Sequence, residues 1–150
     1  MYLICQNAVG ELGWVPEEII MSKIAHADHV MSVVQSGSAA ARSALAASWW
    51  RSVERYGLDP AERRGPERLD AQALRERYGN HEQFMQVASP KLDQLFGLVG
   101  NSGCGVLLTD EKGIVLDRRC TDGDRQAFET WGLVLGADWS EASEGTNGIG

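Results

Sequence analysis

GNSGCGVLLTDEKGIVL, residues 100–116, is where the hydrophobic period of the chain changes. The glycine-rich GNSGCG reads as a loop. Val106-Leu107-Leu108-Thr109 is an apolar, β-prone run that reads as a buried strand. Asp110-Glu111-Lys112-Gly113 is a turn, with a glycine available for positive φ, and Ile114-Val115-Leu116 is the returning strand. Upstream the spacing is helical. Downstream, Asp124 to Trp131 reads as a short helix, and glycines at 132, 136, 145, 148 and 150 mark loop. The fold class is therefore α+β: an N-terminal helical segment followed by an antiparallel sheet.

Working back from residue 100, a helix over 80–99 carries Phe84, Val87, Ala88, Leu92, Leu95, Phe96 and Val99 at three/four spacing, with a kink or break expected near Ser89 because Pro90 follows. Asp70 is the N-cap of a preceding helix that ends at Gly79. Residues 59–68, DPAERRGPER, form a polar connector. A helix over 38–56 has Ser36 or Ser38 as N-cap and Gly57 as C-cap. It aligns Leu45, Trp49, Val53 and Tyr56 on one face, which makes Trp49 the core member of the Trp49-Trp50 pair. A weaker helix covers 25–34, with a break at Gly37. Residues 1–20 show no sustained period, and Met21 offers a second start. The expected division is an extension or weakly ordered helical arm over 1–37, a helical lead-in over 38–99 and a sheet domain over 100–150.

The chain has 150 residues, 43% hydrophobic and 23% charged, a globular balance that excludes a disordered or fibrous chain. Its net charge is −7. That argues against non-specific nucleic-acid binding, which depends on lysine and arginine against phosphate. The arginines of 42–77 are interleaved with Glu54, Glu62, Glu67 and Glu76, as on a solvated mixed face. No apolar run approaches the ~18 residues of a membrane span. Three cysteines, Cys5, Cys104 and Cys120, form no CxxC pair, and their odd number suits a reducing cytoplasm.

Catalytic spacings fail one by one. No lysine follows a glycine ahead of Ser or Thr, so there is no P-loop. Gly103 and Gly105 open a dinucleotide fingerprint that Leu108 breaks. His81-Glu82 begins a zinc helix, but Met85 stands where the second histidine belongs. Cys104 replaces the closing glycine of a nucleophile elbow. A sensor built on Cys104 and Cys120, with His81 as third group, and a metal pair at His26 and His29 are weaker than their plain readings as a buried thiol, a loop thiol and a polar helix face. No enzyme, resident cofactor or metal is expected.

Three segments in order resemble the N-terminal sensory region of sigma-54-dependent transcription activators of the acetoin catabolism regulator type. They are Ser48-Trp49-Trp50-Arg51-Ser52 leading to Tyr56-Gly57-Leu58-Asp59-Pro60; Val106-Leu107-Leu108-Thr109-Asp110 with Gly113; and Asp138-Trp139-Ser140-Glu141 followed by Gly145-Thr146-Asn147-Gly148-Ile149-Gly150. The resemblance implies a helical lead-in and the first half of a GAF domain, a cytoplasmic, non-enzymatic sensing module without the ATPase and DNA-binding parts. A small-molecule effector is the implied partner, held by Trp139 as a pocket wall with Glu144, Thr146 and Asn147 as polar ends. The backbone N–H groups of GTNGIG suit an anionic effector where they open a helix, whereas a core-plugging Trp139 and a tight turn at GTNGIG are the architectural alternative. The competing reading is a stand-alone helical dimerisation protein. Because two strands alone are marginal and leave open edges, a homo-oligomer is expected.

Overall fold

The computed structural model describes residues 2–5, 17–36, 43–62 and 64–149. In chain order these form β1 (Tyr2–Cys5), α1 (Glu17–Gln35), α2 (Ala44–Trp50) running into a π-helical turn (Arg51–Arg55), α3 (Ala71–Asn80), α4 (Glu82–Val99), a 3-10 turn (Gly100–Ser102), β2 (Cys104–Thr109), β3 (Val115–Arg119), α5 (Arg125–Thr130) and α6 (Glu141–Glu144). The class is α+β. The chain divides into two compact units. The first holds β1, residues 65–140 and Ile149. The second holds α1, α2, the π turn and residues 141–148. Helices α3 and α4 thus belong with the sheet, although the sequence reading groups them with α2.

In the first unit the sheet order is β1-β2-β3, antiparallel throughout. Successive β2 side chains point to opposite faces. Val106 and Leu108 pack with Leu92 of α4, flanked by Met85, Ala88, Leu95, Phe96 and Val99. Leu107 points the other way, into a cluster with Val115, Phe128, Leu133, Ala137 and Ile149. Both faces are covered, which is why β2 reads as an unbroken apolar run rather than an alternating one. Gly105 is required by packing. A Cβ there would lie 2.4 Å from the Phe128 ring. Gly113 turns the hairpin at φ +84. The buried Asp110 organises that turn, with Oδ1 accepting from the N–H groups of Lys112 and Ile114, both at 2.9 Å.

Several sequence boundaries move. β2 begins at Cys104, two residues early, and β3 runs to Arg119, beyond the expected end at Leu116. Its polar end is held by ion pairs of Arg119 with Asp117 and Asp93, each at 2.5 Å. Helix α4 remains one helix through Pro90. The proline is exposed, so water can satisfy the carbonyl left without a donor. Asp70 caps α3 as expected, accepting from Gln72 and Ala73 N–H at 2.9 and 2.8 Å. That helix runs one residue past Gly79.

The expectation that residues 1–20 lie outside the fold and leave the hairpin with an open β2 edge is corrected by β1. Tyr2, Leu3, Ile4 and Cys5 stand opposite Leu107, Val106, Gly105 and Cys104, so β2 is a central strand. Four residues are too few to show a period. Removal of residues 1–9 is therefore expected to uncover the β2 edge and turn a concentration-independent light-scattering mass into one that rises with concentration.

In the second unit α1 buries Ala27, Val30 and Val34, at three/four spacing. The break at Gly37 and the cap at Ser38 lie outside the described residues. The observed N-cap of α2 is Ser43, whose Oγ accepts from Ala46 N–H. The stripe of Leu45, Trp49, Val53 and Tyr56 does not form the buried face: Leu45 is 51% exposed, while Ala46 and Ser52 are buried. Leu45 and Ala46 both lie ahead of the π turn, so that inversion belongs to α2 itself, and the π turn changes the phase only beyond it. Tyr56 N–H donates to Arg51 O at 3.0 Å, five residues back, and the wider turn shifts the helical phase. Trp49 is still the better covered of the pair, with His26 and His29 edge-on to its ring at 5.9 and 5.7 Å, whereas Trp50 is 43% exposed.

Candidate functional site

A cavity of ≈ 240 Å³ lies within the second unit. Val30 of α1, Trp49 and Val53 of the α2–π stretch, and Leu58 and Pro60 supply its apolar surface. His26, Asp59, Glu62, Arg64 and Glu144 supply its polar groups. Its remaining wall is residues 143–146. The π turn shapes this site locally. After it, Gly57 takes φ +68 and lets the chain turn sharply, and Leu58 N–H donates back to Ser52 O at 2.9 Å.

A polar clasp fixes the wall. Arg51 grips Glu141 with two bonds, Nε to Oε2 at 2.9 Å and Nη2 to Oε1 at 2.6 Å. Ser48 Oγ donates to Glu141 Oε1, and it lies 2.6 Å from Thr146 Oγ1. Ser48 and Arg51 fall one helical turn apart and so reach the same partner. The planar guanidinium fork suits a carboxylate held in two places. Gly145, at φ +66, closes α6 by donating its N–H to Glu141 O at 3.0 Å.

The Arg51 guanidinium, with the Ser48 hydroxyl, holds the Glu141 carboxyl below its ordinary range, and the same bond raises Arg51. A carboxyl with a depressed folded pKa adds stability above its unfolded pKa, and that stability is lost as pH falls through the folded value. Wild type is therefore expected to exceed Glu141→Gln in urea midpoint at pH 6, and the gap is expected to narrow as pH falls below the unfolded carboxyl pKa of about 4.3 and to close only beneath the lower folded value.

Of the four residues expected to bind an effector, Glu144 and Thr146 line this cavity. Trp139 belongs to the first unit, where it packs against the Leu107–Phe128 cluster and donates Nε1–H to Gly132 O at 3.2 Å. Asn147 donates Nδ2–H to Gly145 O at 2.9 Å, within its own turn. No helix opens at Gly145 itself. Gly145 follows the C-terminal end of α6, and its N–H is used there.

The cysteine reading is also corrected. Cys104 is disulfide-bonded and Cys120 is a free thiol packed against the Leu107 cluster, so the two are not joined. His81 contacts Arg77 and Glu111, with Nδ1 2.9 Å from Arg77 O and Nε2 3.2 Å from Glu111 Oε2. Those two contacts raise its pKa. Among the described residues, His81, Asp110 and Glu111 are the one set with donor atoms close enough to share an ion, within 4.8 Å. Asp110 is already engaged there by Arg77 Nη1 at 2.8 Å and by two backbone N–H groups. Adding Zn²⁺ or Mn²⁺ is expected to leave the melting temperature within 1 °C or so of the metal-free value, because an ion would have to displace the Arg77 cation.

Comparison with known proteins finds a likeness over most of the chain. The chain is 34% identical over 134 residues, 82% of its length, to an acetoin catabolism regulatory protein of Cupriavidus necator. It is 31% identical over 112 residues, 73% of its length, to the acetoin dehydrogenase operon transcriptional activator of Bacillus subtilis. This chain is a homologue of part of these acetoin-type regulators. It spans about a fifth of their length, 20% and 18% respectively. A signal-transduction and transcriptional-control protein of Clostridium beijerinckii is 34% identical over 70 residues, 45% of this chain and 11% of its own. No protein-family model matches the chain, and no solved structure does. Among the described residues, no helix of this acetoin-regulator homologue is long and apolar enough to cross a membrane.

Proposed function

We propose that the chain is the signal-sensing, non-enzymatic part of a cytoplasmic transcription activator of the sigma-54-dependent type, and that its effector site is the cavity of the second unit. The observation that carries this reading is the meeting of two motif segments. Ser48 and Arg51 come from SWWRS, and Glu141 and Thr146 come from WSE and GTNGIG, some 90 residues away in sequence, yet they join in one clasp beside the cavity. An antiparallel sheet covered on both faces supports a GAF-like assignment for the first unit. Homo-oligomerisation belongs to the same proposal, since α4 leaves Phe84, Val87 and Leu98 exposed.

The test is a graft. This chain replaces its matched segment in the Cupriavidus necator regulator, and transcription from that regulator's own promoter is measured with the regulator's inducing growth substrate present and absent. The graft is expected to be inducible. Ser143→Phe, which puts a ring into the cavity wall, is expected to abolish induction at unchanged protein level. Equal induction in both grafts would refute the assignment.

A further inference from the structure

The sheet of the first unit carries a covalent bond that the effector cavity does not use. Cys104 of β2 is buried and disulfide-bonded. The chain holds three cysteines and Cys120 is a free thiol, which leaves Cys5 as the other half of that bond. The backbone register agrees, since Cys5 of β1 stands opposite Cys104. Opposite residues of an antiparallel pair have Cα atoms about 4.5–5.5 Å apart, within the range that a disulfide spans. Among the described residues β1 is an edge strand of four residues, paired only with β2. A short edge strand is the part of a sheet that opens most easily. A cross-link between residues about a hundred positions apart in sequence opposes that opening, because it limits how far the strand can leave.

From these observations we infer that Cys5 and Cys104 form a thiol–disulfide switch, which fastens β1 to the β2 edge when oxidised and releases it when reduced. The switch rests on the cytoplasmic reading, because in a reducing compartment a disulfide is transient and redox-sensing rather than permanent. Its co-reactants are a dithiol reductant and a glutathione-type disulfide. In reduction a reductant thiolate attacks the Cys5–Cys104 S–S bond and forms a mixed disulfide, which the second reductant thiol resolves. Two electrons and two protons pass to the two cysteines, and the reductant leaves as its own disulfide. Oxidation by glutathione disulfide forms the S–S bond again and releases two glutathione thiols. Release of β1 uncovers N–H and C=O groups of β2 for pairing with another strand.

The test uses the full chain, equilibrated either with glutathione disulfide or with millimolar reduced glutathione at a cytosolic ratio. Free thiols are alkylated in denaturant and mapped by mass spectrometry. Cys120 alone is expected to be labelled in the oxidised sample, and all three cysteines in the reduced one. Hydrogen exchange is then compared between the two samples. The slowest amides of residues 2–5 are expected to exchange about ten-fold or more faster after reduction, while those of β3 stay within about two-fold. Cys5→Ser is expected to show the fast exchange under both conditions, and Cys120→Ser to keep the full redox response. Cys104→Ser replaces a buried residue, so Cys5→Ser carries the test if that variant fails to fold. Labelling of Cys5 and Cys104 in the oxidised sample, a bond that survives the reduced glutathione, or reduction without faster exchange at residues 2–5 would each overturn the switch. None of these outcomes bears on the effector cavity, which the graft experiment decides separately.

Discussion

Phe128→Ala is expected to destabilise the first unit by about 3–5 kcal/mol, the range for truncating a fully buried aromatic side chain. Phe128 is wholly buried and lies over Gly105 of the central strand, where the absence of a Cβ lets the ring reach the sheet. The neighbouring residues have little freedom to close the gap, because Leu107 and Val115 are fixed by the β2–β3 ladder. The reciprocal change is also costly. Gly105→Ala drives a methyl into the ring and is expected to cost about 1–3 kcal/mol by overpacking. Urea melts of both variants measure this. Since the two residues touch, the double variant is expected to cost less than the sum, because the smaller side chain at 128 makes room for the new methyl.

The second large effect is expected at Asp110. Its side chain has no exposure and accepts three hydrogen bonds, from Arg77 Nη1 and from the N–H groups of Lys112 and Ile114. Asp110→Ala leaves a guanidinium without its partner and two turn N–H groups without an acceptor. The expected loss is about 3 kcal/mol or more, as when one member of a buried pair is removed. Glu111→Ala, one residue along and exposed, is expected to cost about 1 kcal/mol or less despite its contact with His81. Thermal melts of the two variants separate a structural carboxylate from a surface one.

The hairpin was legible because VLLTDEKGIVL combines apolar runs with a turn that only a few residue types allow. Asp70 was legible as a cap for the same reason, since capping is local. The position of Trp139 was not, because period and composition say that an indole is buried without saying against what. The phase of the chain beyond Trp50 is not legible in the sequence, because the π turn at Arg51–Arg55 falls within a stretch that reads as regular helix. The clasp was hidden for a different reason. Ser48, Arg51 and Glu141 all stand within the quoted motifs, but nothing in either segment reveals its partner about 90 residues away. Strand β1 was too short to show a period, and its role appears only from its register with β2.

In the proposed function the cavity beside the Arg51–Glu141 clasp receives a small effector. The direct measurement is amide shift mapping by ¹H–¹⁵N NMR of the full chain against a panel of two- to six-carbon alcohols, ketones, amines and acids. At least one compound is expected to shift the signals of Trp49, Leu58, Gly145 and Thr146 together, saturably, and Ser143→Phe is expected to abolish those shifts. Saturable shifts confined to residues 65–140, or none from any compound in the panel, would contradict it.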